Sequence, residues 1–153
     1  MVEFTLNGAA VALDVPSEAS LLQALRGPAG LSGPRFGCGD EQCGSCMVLV
    51  DGKPAYACTL SVAAAVGRAV TTVEGLGTPD APHPLQTAFL AEQAGQCGYC
   101  LSGILVSAAA LLARDPAPDE AAIRAALDPH LCRCGSHNRI IRAVRRAARE
   151  MAA

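Results

Sequence analysis

The 153-residue sequence contains no tryptophan and only five aromatic rings: Phe4, Phe36, Tyr56, Phe89 and Tyr99. A core without large rings must be filled by Ala, Val, Leu and Ile. That leaves less apolar area to bury per residue, so metal bonds or a partner interface are expected to add stability. No apolar run approaches the roughly 20 residues needed to cross a bilayer. The N-terminus, Met1-Val2-Glu3-Phe4-Thr5, has no basic stretch followed by an apolar core, so no secretory signal is read there. Net charge is −2, which favours neither nucleic acid nor a membrane surface. No internal repeat is visible, and no residue reads as a general base or nucleophile.

Cysteine is abundant, with eight in the chain. The missing signal assigns the chain to a reducing compartment, where cysteines point to metal rather than to disulfides. The cytoplasm is the expected location, with the periplasm reachable through a partner's export signal. Basic residues gather late, in Arg139, Arg142, Arg145, Arg146 and Arg149. That run reads either as a solvated helix face or as a docking face for an acidic partner.

Two halves are legible. Val2–Leu6 and Ala10–Val15 alternate around Asn7-Gly8, a type I′ hairpin signal. Ser17 is a candidate N-cap for a short helix ending at Arg26, with an apolar stripe of Leu21, Leu22 and Leu25. A Gly- and Cys-dense loop runs from Ser32 to Cys46. Strands are then expected at Met47–Val50, Lys53–Cys58 and Ala69–Val73, giving a mixed sheet packed on one helix. Residues 76–84 are rich in Gly and Pro and read as a linker. Helices are expected over Leu85–Ala94, Leu101–Arg114, Asp119–Leu127 and His137–Met151. Their short connections favour a four-helix bundle.

Cys38, Cys43, Cys46 and Cys58 follow C-x4-C-x2-C-x11-C, the plant-type [2Fe–2S] spacing. Gly37, Gly39 and Gly44 allow the loop to turn tightly and to aim backbone N–H groups at sulfur. Zinc fits this spacing poorly. Cys97, Cys100, Cys132 and Cys134 form C-x2-C-x31-C-x-C, which spacing alone leaves open between a two-iron cluster and zinc. In the cluster reading, the neighbouring cysteines of the C-x-C share one iron. Both pairs fall at helix ends, whose N-termini would lower thiolate pKa.

Both cysteine sets taken together resemble one family. The segments Gly37-Cys-Gly-Asp-Glu-Gln-Cys-Gly-Ser-Cys46, Ala57-Cys-Thr59, Gln96-Cys-Gly-Tyr-Cys100 and Leu131-Cys-Arg-Cys-Gly135 are similar to the small iron–sulfur subunit of the xanthine dehydrogenase and aldehyde oxidoreductase family of molybdenum hydroxylases. The stretches Leu101–Leu112 and Cys134–Ile140 look most like its isoquinoline and nicotinate oxidoreductase branch.

The resemblance implies an α+β chain: a β-grasp ferredoxin-like domain over residues 1–75, a linker over 76–84, and a four-helix domain over 85–153. It implies two [2Fe–2S] clusters, an outer one on Cys38, Cys43, Cys46 and Cys58 and an inner one on Cys97, Cys100, Cys132 and Cys134. It also implies that Gln96 and Cys134 lie beside the molybdopterin, in its cytosine dinucleotide form, of a large partner subunit. Electrons would leave to cytochrome c or a flavin subunit. The chain departs from the family at Pro129-His130, where Gly-Asn is common, and at His137, where Tyr is usual. His83 is expected to be solvated in the linker, and His130 and His137 to hydrogen-bond near the inner cluster rather than ligate it. The competing reading is a ferredoxin-like redox module with a zinc-stabilised helical docking domain.

Overall fold

The computed structural model describes all 153 residues. Strands β1 (Val2–Leu6) and β2 (Ala9–Leu13) form the expected hairpin, with positive φ at both Asn7 and Gly8 as a type I′ turn requires. Strands β3 (Met47–Val50) and β4 (Lys53–Tyr56) turn in the same way at Asp51-Gly52. Strand β5 (Ala69–Thr71) sits between the hairpins, parallel to β1 and antiparallel to β3, giving the order β2-β1-β5-β3-β4. One face of this sheet packs on helix α1 (Leu21–Arg26). This is the β-grasp arrangement.

The first helix starts later than the sequence suggested. Ser20, not Ser17, is its N-cap, because Ser20 and Gln23 form a reciprocal capping box. The Ser17 hydroxyl instead reaches Glu18, and its carbonyl accepts from Ala63 N–H. Ala69–Val73 also shortens, since Val73–Gly75 closes into a 3-10 turn.

The second half contains four helices: α2 (Pro84–Ala91), α3 (Leu101–Arg114), α4 (Glu120–Leu127) and α5 (His137–Ala152). Asp119 caps α4 through the Ala122 N–H. His83 caps α2: its Nδ1 accepts from Leu85 N–H, and burial lowers its pKa. It is therefore not a solvated linker residue. Val73 and Leu76 pack on the helical core, so the connecting segment is seated rather than free. Three of the five arginines of α5 meet the chain's own carboxylates, while Arg139 donates to Gln93 carbonyl. Arg142 and Arg146 share Glu92, Arg146 also reaches Glu150, and Arg145 reaches Glu120. This pairing favours the solvated-face reading for Arg142, Arg145 and Arg146.

Strand β3 joins the halves. Its run Met47-Val-Leu-Val50 is buried throughout. Val48 and Val50 enter the sheet–α1 core, whereas Met47 and Leu49 pack against Val106 and Ala110 of α3. A strand covered on both faces needs an unbroken apolar run, which is what the sequence supplies. No helix is long and apolar enough to cross a membrane.

Candidate metal centres

The structure gathers each predicted cysteine set. The Ser32–Cys46 loop wraps the first, with positive φ at Gly39, Glu41 and Gly44. Gly37 serves differently from the sequence expectation. Its φ is ordinary, but a Cβ there would lie 2.6 Å from Cys43 Sγ, so the glycine provides room for the sulfur. Amide groups converge as expected. Cys38 Sγ accepts from Asp40 and Gln42 at 3.3 and 3.2 Å, and Cys43 Sγ accepts from Cys38 N–H at 3.3 Å. The Thr59 hydroxyl donates to the Glu41 carboxylate and ties the Cys58 end to this loop.

Thiol chemistry divides within the set. The Asp40 and Gln42 amides hold the exposed Cys38 down to about 7. Burial pushes Cys46 up to about 12, and its thiol meets that of Cys58.

The second set lies between helix ends. Cys97 and Cys100 bracket the turn into α3, and Cys132 and Cys134 lie between α4 and α5. The thiol of Cys97 meets that of Cys134, and the thiol of Cys100 meets that of Cys132. Each neighbour of the C-x-C thus meets a thiol of the Cys97–Cys100 pair. Burial dominates the acidity of Cys100. That residue caps α3, yet burial pushes it up to about 12. Cys97, which is exposed, is lowered by the Tyr99 amide.

Three polar contacts here had no local sequence signal. The buried Ser136 hydroxyl has no oxygen or nitrogen partner and lies, with its own amide, against Cys132. Burial raises the Cys132 thiol, but these Ser136 contacts help to bring it down overall. Gln96 Nε2 donates to Cys134 carbonyl at 3.3 Å, which brings the two predicted pterin-facing residues together. Arg35 donates to the carbonyls of Gly98 and Tyr99 and lies over the Tyr99 ring, while the Tyr99 hydroxyl donates to Phe36 carbonyl.

The two sets abut. Leu131 N–H donates to Cys43 carbonyl at 3.0 Å, linking a residue of the first set to the neighbour of Cys132. His130 is buried beside this contact, with Nε2 2.8 Å from Ser107 Oγ, and burial pushes its pKa down to about 4. His137 Nε2 donates to His130 carbonyl at 3.3 Å. Both histidines thus hydrogen-bond near the cysteines, as expected.

No three His, Cys, Asp or Glu side chains converge tightly enough to hold a single metal ion. A two-iron cluster asks for two thiolates on each iron, a wider arrangement that paired thiols and inward amides fit.

Residues 4–67 match the 2Fe-2S iron-sulfur cluster binding domain family, and residues 72–145 match the [2Fe-2S] binding domain family. One nicotinate dehydrogenase subunit of Pseudomonas putida is 48% identical over 96% of this chain and 94% of its own length. The alpha subunit of isoquinoline 1-oxidoreductase from Brevundimonas diminuta is 48% identical over 99% of this chain and 100% of its own. The chain belongs to the small iron–sulfur subunits of the molybdenum hydroxylases. Among solved structures, quinoline 2-oxidoreductase from Pseudomonas putida 86 superposes with a TM-score of 0.94 at 37% identity, covering 99% of this chain and 94% of the other. Aldehyde oxidoreductase from Desulfovibrio desulfuricans gives 0.95 at 38% identity, and there this chain spans only 17% of a much longer polypeptide. Two [2Fe–2S] domains in tandem make this molybdenum hydroxylase subunit part of an oxidoreductase.

Proposed function

We propose that the chain relays electrons from a molybdenum–pterin centre in a large partner subunit to an external acceptor. Cys97, Cys100, Cys132 and Cys134 would hold the inner [2Fe–2S] cluster, and Cys38, Cys43, Cys46 and Cys58 the outer one. A bound cluster carries one electron at a time, which suits a two-electron oxidation drained in single steps. The observation that carries the reading is the contact of the two cysteine loops through Leu131 N–H and Cys43 carbonyl. It supports a continuous route from one set to the other.

This chain's residues do the remaining work. Amides of Asp40, Gln42 and Tyr99 stabilise negative charge on sulfur. Gln96, tied to Cys134, would face the pterin, in its cytosine dinucleotide form. A groove of about 650 Å³ beside Gln96, lined by Phe89, Leu90, Leu101 and Arg139, would receive the large subunit. Leu90 is 80% exposed there, an apolar side chain that a partner would cover. The exposed loop of Cys38, with Asp40 and Glu41, would face a basic acceptor such as cytochrome c. Residues 1–75 and 85–153 are taken as the two domains, with 76–84 between them, in a cytoplasmic complex.

The test is anaerobic purification with the co-expressed large subunit. Four irons and four labile sulfides per chain are expected, with two distinct EPR signals and a molybdenum-containing partner. One equivalent of zinc with a single cluster would replace this reading with the docking-module alternative. Reduction of cytochrome c at the rate of substrate turnover supports that acceptor, whereas activity only with an added flavin subunit refutes it.

A further inference from the structure

Where the two cysteine loops meet, one side chain touches every element involved. The His130 ring is 3% exposed, and its anchor Ser107, on α3, is 4% exposed. On its other side the ring lies against Gly44 of the first loop, where a Cβ would come 2.3 Å from Nδ1. Gly103 of α3 closes the same joint, because a Cβ there would come 2.1 Å from Gly44 carbonyl oxygen. The His130 backbone is also fixed, donating to Leu127 carbonyl and accepting from His137. The next amide, Leu131 N–H, makes the hydrogen bond to Cys43 carbonyl.

We propose that His130 is the positioning residue that sets the contact between the two clusters: its ring, anchored on Ser107 and wedged against Gly44, aims the Leu131 amide at Cys43 carbonyl. The proposal rests on the relay reading above. A hydrogen bond between two buried side chains, as between His130 and Ser107, is worth more than a surface one, and leaving its partner unpaired is costly. Removing the ring would leave the Ser107 hydroxyl alone beside a void and take away the side-chain wedge between α3 and Gly44, leaving only backbone hydrogen bonds to hold the joint. The eight cysteines are untouched by that change. The effect therefore falls on the coupling between the sets rather than on either set alone.

The experiment uses the purified complex of wild type, His130→Ala, His130→Gln, Ser107→Ala and the His130→Ala/Ser107→Ala double variant. Each is fully reduced, and the low-temperature EPR splitting that two nearby unpaired spins impose on each other is recorded beside iron content. In His130→Ala both cluster signals and full iron are expected to remain while the splitting is reduced. His130→Gln, whose amide reaches Ser107 as Nε2 does, is expected to restore it. Ser107→Ala should weaken it, with no further loss in the double variant, as for two members of one contact. A splitting unchanged in His130→Ala overturns the proposal. Should that variant lose a cluster, an unchanged splitting in fully loaded Ser107→Ala overturns it instead. A wild-type complex with fewer than two cluster signals overturns the underlying relay reading, and the proposal with it.

Discussion

Replacing Gly103 with alanine opposes two effects of known sign. Gly103 lies in the first turn of α3, where alanine ordinarily favours helix by about 1 kcal/mol. Propensity alone therefore predicts stabilisation. The added methyl, however, would sit 2.1 Å from Gly44 carbonyl oxygen and 3.2 Å from its carbon. Neither atom can rotate away, because they are backbone and the same carbonyl accepts from Met47 N–H. To reach ordinary contact, α3 and the first cysteine loop must part by about 1 Å, an overpacking that costs roughly 3 kcal/mol. The net is a loss of about 2 kcal/mol, which for a domain of this size lowers the melting temperature by about 4–8 °C. Thermal unfolding of the iron-loaded variant, followed by visible absorbance and circular dichroism, measures it. A melting temperature equal to or above that of wild type would falsify the steric argument and leave propensity as the larger effect.

Cys46→Ser is expected to abolish the outer cluster's EPR signal and Cys134→Ser the inner one, each halving the iron content; a variant that retains both signals refutes its ligand assignment. In iron-free protein, Cys38 should alkylate first at neutral pH. Its thiolate fraction, and so its rate, climbs with pH through about 7 and then levels off. Cys46 and Cys100, pushed up to about 12, should stay largely unreacted until far more alkaline pH, and mass spectrometry of the modified sites would expose any other order. Ser20→Ala should cost about 1 kcal/mol through loss of the capping box. Ser17→Ala should change stability by less than about 0.5 kcal/mol. Equal melting shifts for the two serines would contradict the cap observed at Ser20.

Local chemistry was legible and long-range contacts were not. Both hairpin turns were readable because Asn7-Gly8 and Asp51-Gly52 carry their geometry in two adjacent residues. Strand β3 was found by its apolar run, but nothing in Met47–Val50 says that alternate residues serve different cores. The Ser17 cap was misplaced because Ser17-Glu18 and Ser20-Gln23 both look like helix starts. The pairing of Ser20 with Ser61 across the chain fits only the later start. His83 looked like linker because prolines flank it on both sides, yet it folds back to cap α2 and loses water in doing so. For the cysteines, spacing grouped each four, and the structure brings each group together. Which thiols would face each other in the second set could not be read. The C-x-C neighbours are close in sequence, yet each meets a thiol of the distant Cys97–Cys100 pair. Ser107 and His130 lie 23 residues apart, and no pattern announces that contact.

The division of acidity within each set follows from where its cysteines sit. Cys38 and Cys97 are exposed, and amide groups stabilise their charged forms. Cys46 and Cys100 are buried, and loss of water raises both to about 12, for Cys100 in spite of its place at a helix N-terminus. At neutral pH the exposed member of each set is the more ready to bind a metal, while the buried member is a neutral thiol. Only a bonded cation can make a thiolate tolerable in the buried position, because metal binding supplies the charge that lost water no longer screens. Two such thiols without metal are inert, and they are too deeply placed to serve as nucleophiles or redox switches. The burial that makes these cysteines poor reagents fits them to be ligands, and it means that loading metal must drive protons out of the protein.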